Sequence, residues 1–432
     1  MSETTLDAAT VAQPTRTARG LGPAPSTALD RTLARVLDRA LAWARERDYS
    51  GYSKHDGLES PILRRLLGWS RIPRLVAIQT VMRSPVNLRP LLRVPQKRNP
   101  KGVALFARAY LDRFRARGDA DDRREAARLL DWLCANPSPG YGAPCWGYQY
   151  PWQDAGFFAA PGQPNRVVTC FVGEALLEGW RVLEDRRYLE GAAASARFLL
   201  DAPRILHDDG RTRCLSYVPD KSVTWRVMDV SALVGRFVAQ IALETEELQL
   251  LDDAAKLLRF VVDRQTPEGA WFYTDPPAAS HIRHDNYHTG YICDAIRIYS
   301  EASGSAEFDA AYARGLDFYR RRLFDPDGAP RFMSDQRYPH DIHGSAQGIV
   351  SFELAGASDP RNRALSDRIA QWTLTNLWDE HDGRFFYQKT RFLTKRFTLM
   401  RWCQGWMAHA LAFREARRRS ETGHPATPRH SC

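Results

Sequence analysis

The chain alternates between long stretches with a helical hydrophobic pattern and short loops that begin with glycine and an aromatic run. The loops have the sequences WGYQYPW at Gly147, DGRTRCLSY at Gly210, EGAWFY at Gly269, DGAPRF at Gly328 and DGRFFY at Gly383. Successive glycines lie 63, 59, 59 and 55 residues apart, and an earlier YSKHDG is a candidate for a divergent first copy. A period of this length predicts stacked copies of one supersecondary unit.

Between the loops, apolar residues recur at spacings of three and four, which predicts two helices in each unit. The stretch VVTCFVGEALLEGWRVLED followed by RRYLEGAAASARFLLDA is typical. Helices rich in Ala, Gly and Cys are apolar on several sides, as an inner ring requires, whereas the others carry charge on one face. We therefore predict an all-α fold, an (α/α)6 toroid of six helical hairpins with short β-like Gly-aromatic loops on one rim. An open α-solenoid is the alternative, but its repeats usually have shorter turns.

The predicted toroid, residues 31–418, lies between two polar tails. Residues 1–30 have no apolar run of the kind found in secretory signals, and they and residues 419–432 are predicted to be disordered. No stretch approaches the roughly 18 consecutive apolar residues of a membrane-spanning helix. The seven cysteines form no C-x-x-C pair and no zinc-finger spacing, which is typical of buried thiols in a reducing compartment. These features predict a cytoplasmic protein.

Most of the net charge of +10 lies in one segment. Residues 63–117 contain 14 Arg and Lys and one acid, Asp112, which leaves the rest of the chain close to neutral. The stretch PILRRLLGWSRIPRLVAIQTVMRSPVNLRPLLR mixes these charges with Leu, Ile and Trp69. Such a segment can lie on the anionic surface of the inner membrane, or it can be an ordinary amphipathic helix pair with a solvated basic side. No nucleic-acid-binding motif accompanies the charge, so no nucleic-acid partner is expected.

If the loops converge on one rim, they bring aromatic and cationic side chains together. Aromatic faces stack on sugar rings, and arginines suit carboxylated or phosphorylated glycans. The expected partner is therefore a glycan, with acidic and lipid-linked glycans as the candidates. The predicted substrate-binding residues are Trp146, Tyr148, Trp152, Gln153, Asn165, Trp225, Arg226, Arg283, Arg331, Arg337, His340, His343 and Arg391.

The stretch HIRHDNYHTGY, residues 281–291, contains three of the 11 histidines. His284 and His288 would share a helix face and could hold a metal together with His281. No Glu or Cys follows in a zinc-site order, however, so no metal and no cofactor are predicted. A structural histidine network is a second interpretation. The pattern favours a proton-transfer or substrate-binding site, because Asp285 can orient His288 or Tyr287 and both residue types act as acids and bases when perturbed.

Two resemblances add to this interpretation. The segment NYHTGYI resembles the DYHT segment in the C-terminal toroid of D-glucuronyl C5-epimerases, and the helical layout is similar. The chain from residue 30 to 418, with GYSKHDGLESPILRRL and RNPKGVALFARAYL, looks like bacterial VpsJ-type polysaccharide-biosynthesis proteins. The resemblances imply a role in surface or exopolysaccharide biosynthesis. They also imply that Tyr287, with His288 beside it, transfers a proton at C5 of a uronic acid; Tyr217 matches a second epimerase tyrosine, whose glutamate partner has no match here.

The predicted reaction removes the proton next to a carboxylate and returns one on the other face. Tyr287 and Tyr217 are the predicted acid and base, with His284 or His288 assisting, and arginines would stabilise the enolate. A lyase would use the same chemistry and stop after elimination. A glycoside hydrolase, which needs two carboxylates across the sugar, and a non-catalytic glycan-binding or assembly component at the inner membrane stay open as alternatives. The candidate hydrolase carboxylates are Asp229, Asp285, Asp335 and Asp341.

Overall fold

The computed structural model describes residues 27–201, 205–220, 222–280, 282–356 and 358–421. Apart from residues 27–30 and 419–421, the two predicted disordered tails lie outside these ranges, and so does His281. The α-helices are α1 Ala28–Glu46, α2 Pro61–Leu67, α3 Arg71–Arg83, α4 Pro100–Arg117, α5 Ala120–Ala135, α6 Arg166–Leu183, α7 Arg186–Asp201, α8 Met228–Glu244, α9 Leu250–Val262, α10 Asn286–Ser303, α11 Asp309–Arg322, α12 Ile342–Leu354, α13 Pro360–Leu377 and α14 Trp406–Glu421. A stretch of π-helix, Met400–Gly405, leads directly into α14.

Six helices form an inner ring and six pack around it. The inner helices α4, α6, α8, α10, α12 and α14 contact one another in chain order, and α14 returns to α4 to close the ring. The outer helices α5, α7, α9, α11 and α13 each pack on the inner helix before them, while α1 packs on α14. The sixth hairpin therefore consists of α14 and α1, the last and the first helix of the described residues. This arrangement confirms the predicted (α/α)6 toroid.

The inner helices are buried on all sides, which explains their small residues. In α8, for example, every residue from Met228 to Ala239 is buried. At Gly173 of α6, an added Cβ would lie 2.3 Å from the Phe237 ring of α8, so only glycine lets these two helices approach this closely. The outer helices are amphipathic instead: α9 buries Leu257 and Leu258 against the ring while its other face carries charge.

The Gly-aromatic loops form short antiparallel strands on the rim where the inner helices begin, as predicted. The strands are β1 Ser50–Gly51, β2 Lys97–Arg98, β3 Trp152–Gln153, β4 Phe158–Ala159, β5 Ile205–Asp208, β6 Arg213–Leu215, β7 Arg226–Val227, β8 Thr274–Asp275, β9 His340–Asp341, β10 Trp378–Asp379, β11 Arg384–Phe385, β12 Gln388–Lys389 and β13 Thr394–Lys395. They pair as β1–β2, β3–β4, β5–β6, β7–β8 and β10–β11, and β12 lies between β13 and β9.

Backbone geometry explains the punctuating glycines. Gly210, Gly269, Gly328 and Gly383 have φ between 72° and 93°, a region in which other residues are strained. Gly147 is required for another reason, because an added Cβ would lie 1.8 Å from the carbonyl oxygen of Gln163. The regular glycines of the sequence are therefore turn residues of the rim.

Helices α2 and α3 belong to neither ring and are inserted before the first inner helix. α3 packs on the 3-10 turn Asp56–Glu59 and on β3. The chain that follows α3 is tied back by Arg89, whose Nε lies 2.7 Å from Asp56 Oδ1 in a fully buried ion pair. The predicted basic segment is consequently divided. The arginines of this segment that lie in α4 make ion pairs with neighbouring helices, such as Arg108 with Glu174. The exposed arginines of α2 and α3 form a basic surface.

None of the helices in the described ranges is both long and apolar enough to cross a bilayer.

One buried carboxylate links three consecutive inner helices. Glu174 of α6 lies 2.6 Å from Arg236 Nε of α8 and 3.1 Å from Arg108 Nη1 of α4. We expect Glu174→Ala to lower the free energy of unfolding by about 3–5 kcal/mol, because Arg236 would remain buried without its counter-charge. Urea unfolding followed by circular dichroism measures this. In the control, Glu190→Ala, which removes an exposed pair with Arg186, the change should stay below about 0.5 kcal/mol. Equal losses in the two variants would contradict the structural role given to Glu174.

Candidate active site

The inner helices all begin at the same rim, and the second residue of each lines one central cavity of about 440 Å³. The N-terminal ends of these helices carry unpaired N–H groups and a partial positive charge, so the cavity is suited to an anion. These second residues are Lys101 of α4, Val167 of α6, Asp229 of α8, Tyr287 of α10, His343 of α12 and, in the π-helical stretch before α14, Arg401.

His288 lies in the first turn of α10 and faces two carboxylates. Its Nδ1 is 2.9 Å from Asp285 Oδ2, and its Nε2 is 3.9 Å from Asp229 Oδ2. Burial disfavours the charged ring, but the carboxylates of Asp285 and Asp229 outweigh it and raise the pKa of His288. The His288 ring therefore keeps its proton to a higher pH than an ordinary histidine does.

His343 has the opposite environment. Burial lowers the pKa of His343 well below its ordinary value, and the charges of Lys101 and Arg401 add to this effect. Its Nε2 is 2.9 Å from the hydroxyl of Tyr291, so the neutral ring keeps a defined orientation. His343 is therefore a buried, uncharged imidazole at the cavity wall.

Tyr287 lies between these two histidines. Its ring centroid is 4.2 Å from that of His288 and 4.4 Å from that of His343, on which it stacks at an interplanar angle of 11°. Burial raises the pKa of Tyr287 well above its ordinary value, and that of Tyr217 in the same way. Both phenols consequently stay protonated and can donate a hydrogen bond, but they are poor donors of the proton itself.

Two buried basic side chains, Arg401 and Lys101, face the cavity without forming an ion pair in the described ranges, and burial lowers the pKa of Lys101 well below its ordinary value. The Arg401 guanidinium is 2% exposed and lies 5.2 Å from the Tyr148 ring. Lys101 is 3% exposed, and its Nζ is 3.7 Å from the centroid of the Phe171 ring. Lys54, in contrast, is 3.8 Å from Asp341 Oδ2. Burying an unpaired charge is costly, so the charged Arg401 indicates that an anionic ligand supplies the missing counter-charge.

Eight of the sequence-predicted site residues meet in this cavity. Tyr148, Trp152, Gln153 and Tyr217 come from the loops, and Asp285, Tyr287, His288 and His343 come from the starts of α10 and α12. Trp152 is the centre of an aromatic wall, with ring centroids 5.1 Å from Phe157 and 5.6 Å from Tyr148 and Tyr217. Such a wall is suited to stacking on a sugar ring.

Three predicted residues line a different space. Arg337, His340 and Arg391 belong to an open groove of about 430 Å³ whose other wall is formed by α13. Neighbouring residues of a strand point to opposite faces, and β9 shows this directly. His340 faces the groove, while the next residue, Asp341, accepts a hydrogen bond from Trp402 Nε1 at 2.7 Å on the cavity side. The strand β9 thus separates the groove from the cavity.

Three further predicted residues have structural contacts. The buried Trp146 donates from Nε1 to the Leu133 carbonyl at 3.0 Å, and Asn165 caps α6 by accepting from the Val168 amide at 2.8 Å. His284 lies against the Phe272 and Phe318 rings outside the cavity. Helix capping and core packing therefore account for these three residues, although their positions in polar and aromatic loops suggested ligand contacts.

The four remaining predicted residues line neither space. Arg226 pairs with Asp275 at 3.2 Å and Arg283 with Asp335 at 3.3 Å, and Trp225 packs edge-on against Tyr273. Arg331 is partly buried.

Sequence reasoning missed several cavity residues as site residues: Lys54, His55, Lys101, Tyr291, Arg401 and Trp402. From the sequence, Asp229 is predicted only as a candidate carboxylate of a glycoside hydrolase. Position in the helix would have identified Lys101 and Arg401, because each is the second residue of a helical segment that follows a rim loop. No group of three or more His, Cys, Asp or Glu in the described ranges is arranged to hold a metal ion.

The protonation of His288 can be tested directly. We expect Asp285→Asn to lower the pKa of His288 below its ordinary value of 6.5, because burial then outweighs the single remaining carboxylate, Asp229. NMR titration of the histidine rings measures this. Since the fold raises this pKa, the contribution of His288 to stability is fully present below pH 6.5 and is lost as the pH rises through the raised value. Asp382→Asn, beside the exposed His381, is the control and should leave the His288 titration unchanged; an unchanged His288 pKa in Asp285→Asn would contradict the assignment.

The sequence matches no family model and no curated protein. Solved structures are similar in fold. Cellobiose 2-epimerase from Bacillus thermoamylovorans B4167 is 12% identical, with a TM-score of 0.58 over 74% of this chain and 88% of that one. D-mannose isomerase is 9% identical, with a TM-score of 0.63 over 90% and 99%, and an unsaturated glucuronyl hydrolase specific for heparin is 11% identical, with a TM-score of 0.58 over 92% and 98%. At these identities the likeness shows the fold alone, and that fold is the α/α toroid.

Proposed function

We propose that this protein is a carbohydrate-processing enzyme that transfers a proton at the carbon next to the carboxylate of a uronic-acid residue, as an epimerase or a lyase does. One observation carries the proposal: two histidines with opposite pKa shifts stand on either side of Tyr287. Neighbouring groups whose environments push their pKa values apart are the usual acid and base of such a reaction. Sugar epimerases and isomerases among the proteins of similar fold support the same class of chemistry.

In the proposed reaction, His343 takes the proton from C5 of the uronic acid, because its ring is kept unprotonated and the negative charge that forms beside it favours the imidazolium. The electron pair left on C5 delocalises into the carboxylate, which Arg401 stabilises by charge and Lys101 by donating a hydrogen bond. His288, kept protonated by Asp285, returns a proton from the other side, and Tyr287 donates a hydrogen bond between them. Return of the proton to the opposite face gives the C5 epimer, whereas departure of the C4 substituent gives an unsaturated sugar.

This scheme revises the roles suggested by the resemblance to D-glucuronyl C5-epimerases. Tyr287 keeps its place at the reacting carbon, but a histidine replaces tyrosine as the base. Tyr217, a protonated phenol stacked with Phe157 at 5.1 Å, belongs to the sugar-binding wall in this proposal. Tyr148 and Trp152 complete that wall.

We further propose that the glycan is an intermediate of surface or exopolysaccharide biosynthesis and that the protein acts in the cytoplasm at the inner membrane. The resemblance of residues 30–418 to VpsJ-type proteins supports this role. The buried Arg401, which forms no ion pair within the described part of the chain, supports an acidic glycan.

Glycoside hydrolysis is the second candidate, and the buried carboxylates favour it. Burial raises the pKa of Asp229, as a general acid requires, and Asp285 lies on the same cavity wall. A glucuronyl hydrolase and sugar epimerases share this fold, so the fold does not separate the two reactions.

Solvent-deuterium incorporation tests the proposed chemistry. In heavy water the protein should place deuterium at C5 of uronic-acid oligosaccharides, because the proton returned by His288 comes from solvent. His288→Gln, His343→Gln and Tyr287→Phe should each slow labelling by about 100-fold or more, since the two histidines transfer the proton and Tyr287 donates the hydrogen bond between them. NMR and mass spectrometry follow the label and identify the product.

The control variant is Tyr312→Phe on the outer helix α11, which should label at the rate of the unaltered protein. A labelled saturated sugar identifies an epimerase, and an unsaturated sugar identifies a lyase. New reducing ends without label at C5 would reject proton transfer in favour of hydrolysis, and absence of any change with uronic-acid oligosaccharides would reject the uronic-acid substrate.

The proposed role of Arg401 gives a binding prediction. Arg401→Gln should weaken binding of a uronic-acid oligosaccharide by about 10- to 100-fold, because one charge-assisted hydrogen bond to the carboxylate is lost. Isothermal titration calorimetry should show no such loss for the carboxyl-reduced oligosaccharide, and Arg401→Lys should restore part of the affinity. The exposed-surface control is Arg186→Gln. Equal binding of the carboxylated and reduced sugars by the unaltered protein would contradict an anion-binding Arg401.

A further inference from the structure

The insertion α2–α3 exposes an unusual amount of apolar surface. Trp69, in the turn between the two helices, and Ile72, in the first turn of α3, are each 73% exposed, and Leu66 is 63% exposed. Ile62 and Val76 continue the patch one helical turn away on each side. Large apolar side chains that adjoin one another on a surface indicate an interaction site.

Helix α3 is apolar on two sides, which an ordinary surface helix is not. Its inner side buries Ala77, Ile78 and Val81, and Leu75, Ile78 and Met82 line the central cavity. Its outer side presents Ile72 and Val76 to solvent. A surface helix normally turns polar residues outward, so the outer side of α3 is expected to meet an apolar partner.

The same surface is strongly basic. Its exposed arginines are Arg64, Arg65, Arg71, Arg83 and Arg93, of which Arg83 also lines the central cavity. None of them forms an ion pair in the described ranges, and the sequence has no acidic residue between Glu59 and Asp112. Elsewhere exposed arginines are commonly paired, as Arg186 is with Glu190. The partner must therefore be both apolar and negatively charged.

We propose that α2 and α3 form a docking surface for an anionic phospholipid bilayer. Tryptophan and isoleucine side chains enter the boundary between headgroups and acyl chains, while the unpaired arginines contact the lipid phosphates. A second exposed aromatic residue supports this orientation. Phe392, 87% exposed, stands at the tip of the β12–β13 hairpin, whose Lys395 Nζ bonds the Arg83 carbonyl at 3.1 Å and so ties the hairpin to the end of α3.

Docking in this orientation has a consequence for the substrate. Because the inner side of α3 lines the cavity, a bilayer on its outer side holds the cavity beside the lipid headgroups. A glycan carried on a membrane lipid would then reach the site with its lipid still in the bilayer. This consequence rests on the proposed function, whereas the docking surface itself does not.

Vesicle co-sedimentation tests the docking surface without any substrate. The full chain should bind vesicles made of equal parts phosphatidylcholine and phosphatidylglycerol, and pure phosphatidylcholine vesicles much less. The double variant Trp69→Glu/Ile72→Glu should bind the anionic vesicles at least about tenfold more weakly, because it places charge in the acyl boundary. Arg64→Ala/Arg65→Ala should also weaken binding and reduce its dependence on salt.

The matched control is Leu248→Glu, at an equally apolar exposed position on the opposite rim, between α8 and α9. It should bind vesicles as the unaltered protein does, and circular dichroism should show that all variants are folded. Binding that does not distinguish the two lipids, or that survives both double variants, would overturn the proposal. Light scattering adds another test, because a dimer that Trp69→Glu/Ile72→Glu dissociates would identify a second copy as the partner and reject the bilayer.

The two proposals fail separately. If the unaltered protein does not bind anionic vesicles but labels C5 of soluble oligosaccharides, the docking surface alone is rejected. If it binds the vesicles but does not label C5, the proton-transfer reaction alone is rejected.

Discussion

Closure of the inner ring is the constraint on which the rest of the molecule depends. α14 packs on α4, and Trp406 at its start stacks on Tyr291 of α10 at 5.7 Å and meets Phe171 of α6 edge-on at 5.3 Å. A closed ring brings six helix starts to one place, because each inner helix runs in the same direction. The second residue of every inner helix must then face the same small space. The central cavity follows from the topology, and the chemistry follows from which six residues occupy those places.

Those six places contain a mixture of charges that a stable core would avoid. Lys101 and Arg401 are buried and form no ion pair with any residue that the structure describes, Asp229 is buried beside a histidine, and His343 is kept neutral by its surroundings. Each of these groups costs stability where it stands. The ring tolerates them because large apolar surfaces around the cavity, and buried pairs such as Glu174 with Arg236, stabilise the helices that hold them. Concentrated unfavourable burial of this kind is typical of functional sites.

The architecture could be predicted because its unit of one loop and two helices repeats along the sequence. The site could be predicted only in part, because its residues follow no repeat. Regular glycines and helical spacing specify six units without knowledge of any contact. Tyr287 and His288 were recognisable from one local cluster. Lys101 and Arg401 lie in helical sequence with no local cluster of polar or aromatic residues that resembles a site. Ring closure brings them to the cluster around Tyr287. Trp146 and Asn165 show the opposite difficulty, since the residue types that bind sugars also brace loops and cap helices.

The contacts of Asp285 bear on which reaction the site performs. A glycosidase needs two carboxyl groups that act on the sugar directly, one as acid and one as base or nucleophile. Asp285 lies 2.9 Å from His288 Nδ1, so its charge is committed to orienting and protonating that ring. Asp229 is also close to the same ring, on its Nε2 side. Two carboxylates that share one histidine fit the proposed reaction, in which that histidine transfers the proton and the carboxylates support it. This arrangement favours proton transfer by His288 over hydrolysis by the Asp229–Asp285 pair.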